Sequence, residues 1–330
     1  MMIKEEPTIK KSITCMLCGS DRLTYLTGSV RFGYQADVYQ CRNCTLTFLD
    51  QSSFEFLDGF YKTQYHQTYL THVEPDASEP DRYYEKMIKT TAPWAEKFKS
   101  MLKGDETILD MGCSTGHFLE LIHPHARAVY GYEVNQKEGA FCREKLGLDV
   151  SDIPLAERFD AGMFDYITLI FVLEHIADPV LFLRDLSMFL KPQGKLVILV
   201  PNILDPLMSF FDLPDFQHFY YCIEHLYYFT PETLKRVFEK ANLTGTLETI
   251  QEYPLSNHLN WGYGKTPKDT VLSRIGVPDI PVSRDQGRWA CLWQELDTTY
   301  KKFLAEQNLG DRLWAVAGRT VDIGDMGEDK

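Results

Sequence analysis

The sequence predicts an α/β fold: a mostly parallel sheet with helices on both faces, preceded by a small zinc-ribbon-like module. Three observations carry this. Strand-like and helix-like segments alternate from residue 107 onward, as they do in parallel sheets. A glycine-rich turn from Asp110 to Gly116 joins the first of those strands to the next helix. Two Cys-x-x-Cys pairs, Cys15/Cys18 and Cys41/Cys44, stand ahead of the alternation.

The elements follow in order. Residues 13–49 hold short β-prone runs at 23–26, 38–40 and 46–49, around the two cysteine pairs. Residues 51–80 are aromatic and polar, and Tyr61, Tyr65 and Tyr69 read as lid or core aromatics. Residues 81–103 have helical spacing, with Met87, Trp94, Phe98 and Leu102 on one side and Gly104 as the stop. Then come a strand at 107–111, a helix from 116, a strand at 126–132 and a helix at 136–146 ended by Gly147. A buried strand at 164–171 leads to a helix at 180–190, which Pro192 and Gly194 should stop, and a strand at 195–200. The stretch 203–229 is rich in Phe, Tyr and Asp and breaks the alternation. Thr230-Pro231-Glu232 then caps a helix. A strand near 244–253, a helix at 286–307, a last strand at 313–319 and an acidic tail from Asp322 complete the chain.

This gives residues 1–50 as a zinc-binding module, 51–104 as a linker and helical lid, and 105–330 as the large domain, with insertions near 203–229 and 254–307. The chain has 330 residues, 44% of them hydrophobic, enough for a sizeable core. A net charge of −13 repels phosphate backbones and counts against nucleic acid as a partner. Residues 1–11 are charged, contain Pro7 and lack the apolar core of a signal peptide. No apolar run approaches the roughly 20 residues of a membrane span, so a cytoplasmic protein is expected.

The turn Asp110-Met111-Gly112-Cys113-Ser114-Thr115-Gly116 brings backbone close to a ligand and opens a helix whose first N–H groups are free. Glu133, at the end of the next strand, can accept both hydroxyls of a ribose. A dinucleotide turn wants Gly-x-Gly-x-x-Gly for its pyrophosphate. Here Ser114 replaces the second glycine, and Asp110 would repel the pyrophosphate. A carboxylate there suits a cofactor with an amino-acid end and a positive sulfonium, S-adenosylmethionine.

The run Ile108 to Gly116 resembles motif I of class I methyltransferases, which have a Rossmann-like sheet. Phe164-Asp165-Tyr166-Ile167-Thr168-Leu169, followed by Leu173-Glu174-His175-Ile176-Ala177-Asp178-Pro179, is similar to a later strand of that family. Gly194 to Asn202 is similar to the strand after it. The likeness covers roughly residues 105–245. It implies that the loop Asp110, Gly112, Cys113, Ser114, Thr115 and Gly116 wraps the methionine part and that Glu133 binds ribose. It further implies that Ser151, Asp152 and Ile153 lie near adenine and that Phe171 lines the pocket.

Each Cys-x-x-Cys turn aims two thiolates at one point, and Cys15, Cys18, Cys41 and Cys44 together make a closed, structural Zn²⁺ site. A pair of unmetallated redox motifs is the other reading. Such a module ahead of this domain resembles the sugar methyltransferases of polysaccharide and antibiotic pathways. That likeness implies a nucleotide-linked or glycan sugar as acceptor. Members that methylate carbon usually carry a further C-terminal domain, for which this chain is too short, so O-, N- and C-methylation all stay open.

Methyl transfer requires a positioned acceptor and, for oxygen or carbon, a group to take the proton. In the sugar C-methyltransferases a stretch similar to residues 220–229 reads His-Glu-His before an aromatic pair. This sequence keeps Glu224, His225 and a nearby Tyr221, with Ile223 in place of the first histidine. His225 is the first choice as general base, with Tyr221 or Glu224 to orient it, and a purely structural histidine is the alternative. His175 either faces the acceptor or caps its strand. Asn257, His258 and Trp261 either line the acceptor pocket or pack a loop.

The leading function is a small-molecule methyltransferase. One alternative is methylation of RNA or protein with the zinc module as docking element. Another is a non-catalytic zinc-ribbon interaction protein on a methyltransferase scaffold. The acceptor and the oligomeric state are left open.

Overall fold

The computed structural model describes residues 13–51, 79–211, 213–264 and 286–320. Tyr61, Tyr65, Tyr69 and the acidic tail lie outside the described residues. Three N-terminal strands, β1 (Leu23–Ser29), β2 (Gln35–Cys41) and β3 (Thr47–Leu49), form an antiparallel sheet. Its fourth strand comes from far along the chain: β9 (Tyr227–Tyr228) pairs Thr47 with Tyr228 and Phe48 with Tyr227. The cysteine module is therefore joined to the large domain by backbone hydrogen bonds.

The large sheet has seven strands in the order β10-β11-β8-β7-β4-β5-β6. They are β4 (Thr107–Met111), β5 (Ala128–Tyr132), β6 (Asp149–Ser151), β7 (Phe164–Ile170), β8 (Leu190–Pro201), β10 (Leu243–Ile250) and β11 (Arg312–Arg319). The pairings among β4 to β8 are parallel, and β11 runs antiparallel to both β8 and β10. From β4 the chain steps outward to β5 and β6, then returns to place β7 on the other side of β4. The crevice at the carboxyl ends of β4 and β7 is thus the switch point where open α/β sheets bind ligands.

Side chains leave each strand alternately to the two faces. Leu109, Ile167, Leu196, Ile198 and Val200 pack on one side with α5 (Pro179–Ser187) and α8 (Pro231–Lys240). Ile108, Val197, Leu199 and Trp314 pack on the other, against α1 (Pro80–Lys99) and α2 (His117–Ile122). Trp94 and Phe98 of α1 are buried there, and Trp94 stacks on Trp314 with ring centroids 6.4 Å apart.

Most expected elements are present. Thr230 caps α8 and forms a reciprocal capping box with Thr233, an arrangement worth about 1 kcal/mol. One expectation is corrected: Pro192 and Gly194 lie inside β8 and stop no helix. A Cβ on Gly194 would come within 2.7 Å of the Phe164 carbonyl oxygen, and the β7–β8 register shifts between Phe164 and Tyr166. Glycine and proline mark a bulge here. The stretch 203–229 forms α6 (Pro206–Ser209), α7 (Pro214–Tyr220) and β9. Residues 255–306 contribute α9 (Leu255–Gly264) and α10 (Gln286–Glu306). Helices α3 (Gln136–Glu144) and α4 (Leu155–Arg158) complete the list. Among the described residues no helix is long and apolar enough to cross a membrane.

Candidate active site

The turn after β4 is shaped by backbone that side chains tolerate poorly. Gly112 and Gly116 have φ of +66° and +74°, and Ser114 has φ of 50°. A Cβ on Gly112 would meet Val172 at 2.9 Å, and one on Gly116 would meet Leu148 at 2.8 Å. Both glycines are therefore required by conformation and by space. The Cys113 thiol is buried and lies against Gly131, so only the Cys113 backbone can face a ligand. Thr115 is likewise buried, its hydroxyl 3.1 Å from His117 Nδ1.

Glu133 closes this turn. Its Oε2 accepts from the Ser114 N–H at 2.8 Å and its Oε1 from the Asn135 N–H at 2.7 Å. Burial pushes its carboxyl above the ordinary range, and the backbone donors pull the other way. Asp110 is buried at the end of β4 and accepts from the Thr168 hydroxyl at 2.6 Å. Burial raises its carboxyl to about 7. Beyond Glu133, the Ser151 hydroxyl accepts from the Ile153 N–H at 3.0 Å, and Asp152 accepts from the Gln136 amide. Ile153 is 47% exposed, an apolar side chain turned to solvent. Phe171 follows β7 with φ of 57°, and the Arg312 guanidinium sits 5.3 Å from its ring centroid.

The other end of the crevice gathers residues distant in sequence. His175 and His225 meet edge to face with centroids 4.9 Å apart. His175 Nδ1 is 2.8 Å from the Glu224 carbonyl oxygen, which fixes the N–H on Nδ1 and leaves the lone pair on Nε2. Burial lowers His175 to about 4, and His225 is lowered further by burial, His175, Arg31 and Arg312, so both rings are neutral. Glu174 is fully buried, and neither carboxylate oxygen has a hydrogen-bond partner. Its Oε1 lies 4.0 Å from His175 Nε2.

Of the residues singled out beside His225, Glu224 reaches the pair through its carbonyl, bonded to His175. Tyr221 packs edge to face on Tyr228 at 5.1 Å, and that ring lies 5.9 Å from His225. Tyr221 thus lines a groove of about 1070 Å³ between the cysteine module and the large domain. His258 and Trp261 have other partners: His258 bonds Tyr300 and sits 3.6 Å from Asp205, and Trp261 packs on Phe216. Asn257 is buried beside them. Glu174 and Arg312 were not singled out as site residues. Glu174 directly precedes His175 in the sequence, whereas a charge opening a buried last strand gives no local signal for Arg312.

The four cysteines converge. Cys15 and Cys44 sulfurs are 3.4 Å apart, Cys18 and Cys41 sulfurs 3.5 Å, and all four lie within 4.8 Å of one another. The Asn43 N–H points at the Cys41 sulfur at 3.4 Å. Tetrahedral zinc–thiolate bonds of about 2.3 Å place sulfurs about 3.8 Å apart, so the set fits zinc.

Residues 78–248 match the family model described as "Methyltransferase domain". The chain belongs to this family, whose methyl donor is S-adenosylmethionine. The ubiquinone biosynthesis O-methyltransferase of Caulobacter vibrioides is 37% identical over 106 residues, covering 29% of this chain and 41% of that protein. Its namesake from Coxiella burnetii is 31% identical over 102 residues, covering 29% and 43%. The chain thus spans about two-fifths of the length of these curated relatives. Among solved structures, a methyltransferase from Archaeoglobus fulgidus aligns with a TM-score of 0.45 and 19% identity, over 70% of this chain and 93% of that one.

Proposed function

We propose that the chain transfers a methyl group from S-adenosylmethionine to a hydroxyl oxygen of a small-molecule acceptor. The observation that carries this is the Glu133 carboxylate, clamped by the Ser114 and Asn135 N–H groups at the mouth of a glycine-shaped turn. Bound there, the cofactor supplies an electrophilic methyl on a positive sulfur. Glu133 binds the ribose, the backbone from Gly112 to Gly116 lies along the methionine part, and the Asp110 carboxyl faces the positive end. Ser151, Asp152 and Ile153 flank the base, and Phe171 borders the sulfur. The acceptor lies at the His175–His225 end, where His225 serves in removing its proton.

The oxygen acceptor is supported by the curated relatives, which are named as O-methyltransferases. The sugar that the cysteine module's likeness implies has no counterpart among those names. The same reading gives Cys15, Cys18, Cys41 and Cys44 one structural zinc ion, closed to substrate.

Calorimetry with S-adenosylhomocysteine tests the donor half: saturable 1:1 binding is expected, and no binding by folded protein overturns it. Transfer of a labelled methyl to hydroxylated small molecules tests the acceptor half, and transfer confined to RNA or protein overturns that.

A further inference from the structure

The cluster of Glu174, His175 and His225 has a feature that a proton-accepting histidine alone leaves unexplained. Glu174 is buried with two bare oxygens, and a buried polar atom left unbonded is destabilising. Buried orphan polar atoms of this kind call for a missing partner. The two guanidinium groups of this region do not supply it. Arg312 is committed to Glu252, with Nε and a terminal nitrogen 2.9 and 2.8 Å from the same carboxylate oxygen. Arg31 donates to the Phe219 carbonyl and lies over that ring at 4.0 Å.

What surrounds Glu174 instead is a pair of neutral imidazoles. One atom from each of Glu174, His175 and His225 falls within 4.8 Å of the other two. Metal–ligand bonds of about 2.0–2.1 Å in a tetrahedral site need ligand separations of about 3.3 Å, so the side chains have to close by about 1.5 Å at most. His175 is already oriented for this. Its Nδ1 donates to the Glu224 carbonyl, the outer contact that metal-bound histidines usually make, and its Nε2 is turned toward Glu174.

We propose that Glu174, His175 and His225 bind one divalent first-row transition-metal ion. Two imidazoles and one carboxylate select such ions, and three protein ligands leave a coordination position open. His175 and His225 are partly exposed, whereas Glu174 is fully buried, so the open position can be reached only past the two imidazoles. The inference deepens the function proposed above and rests on its placing the acceptor at this end. An acceptor hydroxyl at the open position gives its proton to water, because the ion lowers the pKa of a bound oxygen. His225 then serves deprotonation as a ligand of the ion.

The test is Co²⁺ titration of protein whose cysteine site is filled with zinc, followed by calorimetry and by visible absorption. One Co²⁺ per chain is expected, with weak bands typical of nitrogen and oxygen ligands and without a sulfur charge-transfer band. Glu174→Gln and His225→Ala are each expected to weaken Co²⁺ binding at least about tenfold, while S-adenosylhomocysteine affinity holds. Glutamine matches glutamate in shape, and His225 is only half-buried, so at least one variant is expected to fold. Folded wild-type protein that binds S-adenosylhomocysteine but no Co²⁺ overturns the metal site and leaves the donor reading standing. Co²⁺ binding that both variants leave unchanged overturns it as well. Loss of S-adenosylhomocysteine binding in the wild type counts against the donor reading instead.

Discussion

At the end of β4, the carboxylates that shape the turn have donors: Glu133 takes two backbone N–H groups and Asp110 takes the Thr168 hydroxyl. At the end of β7, Glu174 is just as buried and has none. The first end is built from one continuous segment and its neighbours on the two adjacent strands, Glu133 just after β5 and Thr168 on β7. The second is assembled from two segments about 50 residues apart and is braced by the cysteine module through β9. The first end is therefore organised before anything binds, and the second leaves a buried carboxyl without a hydrogen-bond partner.

The largest expected effect breaks the second end through its brace. A structural zinc site contributes about 10–16 kcal/mol of apparent binding energy in small modules, as much as a whole domain's stability. Cys18→Ser should release the zinc and unfold the sheet that holds β9, which begins two residues after His225. Elemental analysis should show the loss, turnover should collapse, and S-adenosylhomocysteine affinity should stay within a few-fold. Equal loss of donor binding would mean that the two ends are not separable.

His225→Ala should come next. A group that takes part in removing a proton contributes typically about 10²–10⁴-fold in rate. Turnover should fall by that order with donor affinity nearly unchanged, and His225→Asn should not restore it. Near-native turnover in the asparagine variant would reduce His225 to a packing role. Glu133→Ala should act the other way, on affinity. Losing one charge-assisted hydrogen bond, at about 1.5–3 kcal/mol, weakens donor binding about 10- to 150-fold. Unchanged affinity by calorimetry would remove Glu133 from the ribose.

The same contrast explains what the sequence discloses. Asp110, Gly112, Gly116 and Glu133 are legible because a turn and the end of the adjacent strand have fixed spacing in a parallel sheet. The pairing of His175 with His225 depends on how residues 203–229 fold back, and no local period records that. Tyr227 and Tyr228 read as part of an insertion, yet they finish the cysteine module's sheet, a contact across almost 180 residues. Pro192 and Gly194 read as a helix stop because their usual local meaning is punctuation. In β8, Gly194 serves a close approach to the Phe164 carbonyl that only tertiary structure creates.

The smallest effect tests whether the first end is as settled as its hydrogen bonds imply. Burial holds Asp110 at about 7 in the folded protein, against an ordinary value of 3.8. Between those values the unfolded chain has lost this proton and the folded chain keeps it. The folded state binds more protons, so stability falls as pH rises through this window. At about 1.36 kcal/mol per pKa unit, the full contribution is roughly 4 kcal/mol at most. Asp205, raised to about 7, and Asp311, raised to about 6, both by burial, add slopes of the same sign. Asp110→Asn keeps an oxygen for the Thr168 hydroxyl and removes its own slope while leaving those of the other buried carboxyls. Thermal unfolding of the ligand-free protein from pH 5 to 7.5 should therefore show the melting temperature falling less in the variant than in the wild type. Parallel curves would mean that Asp110 is already ionised in the empty fold. If the curves diverge, a positively charged ligand has something to gain there: it favours the carboxylate that burial opposes, so donor affinity in the wild type should rise with pH through about 7 and should lose that rise in Asp110→Asn.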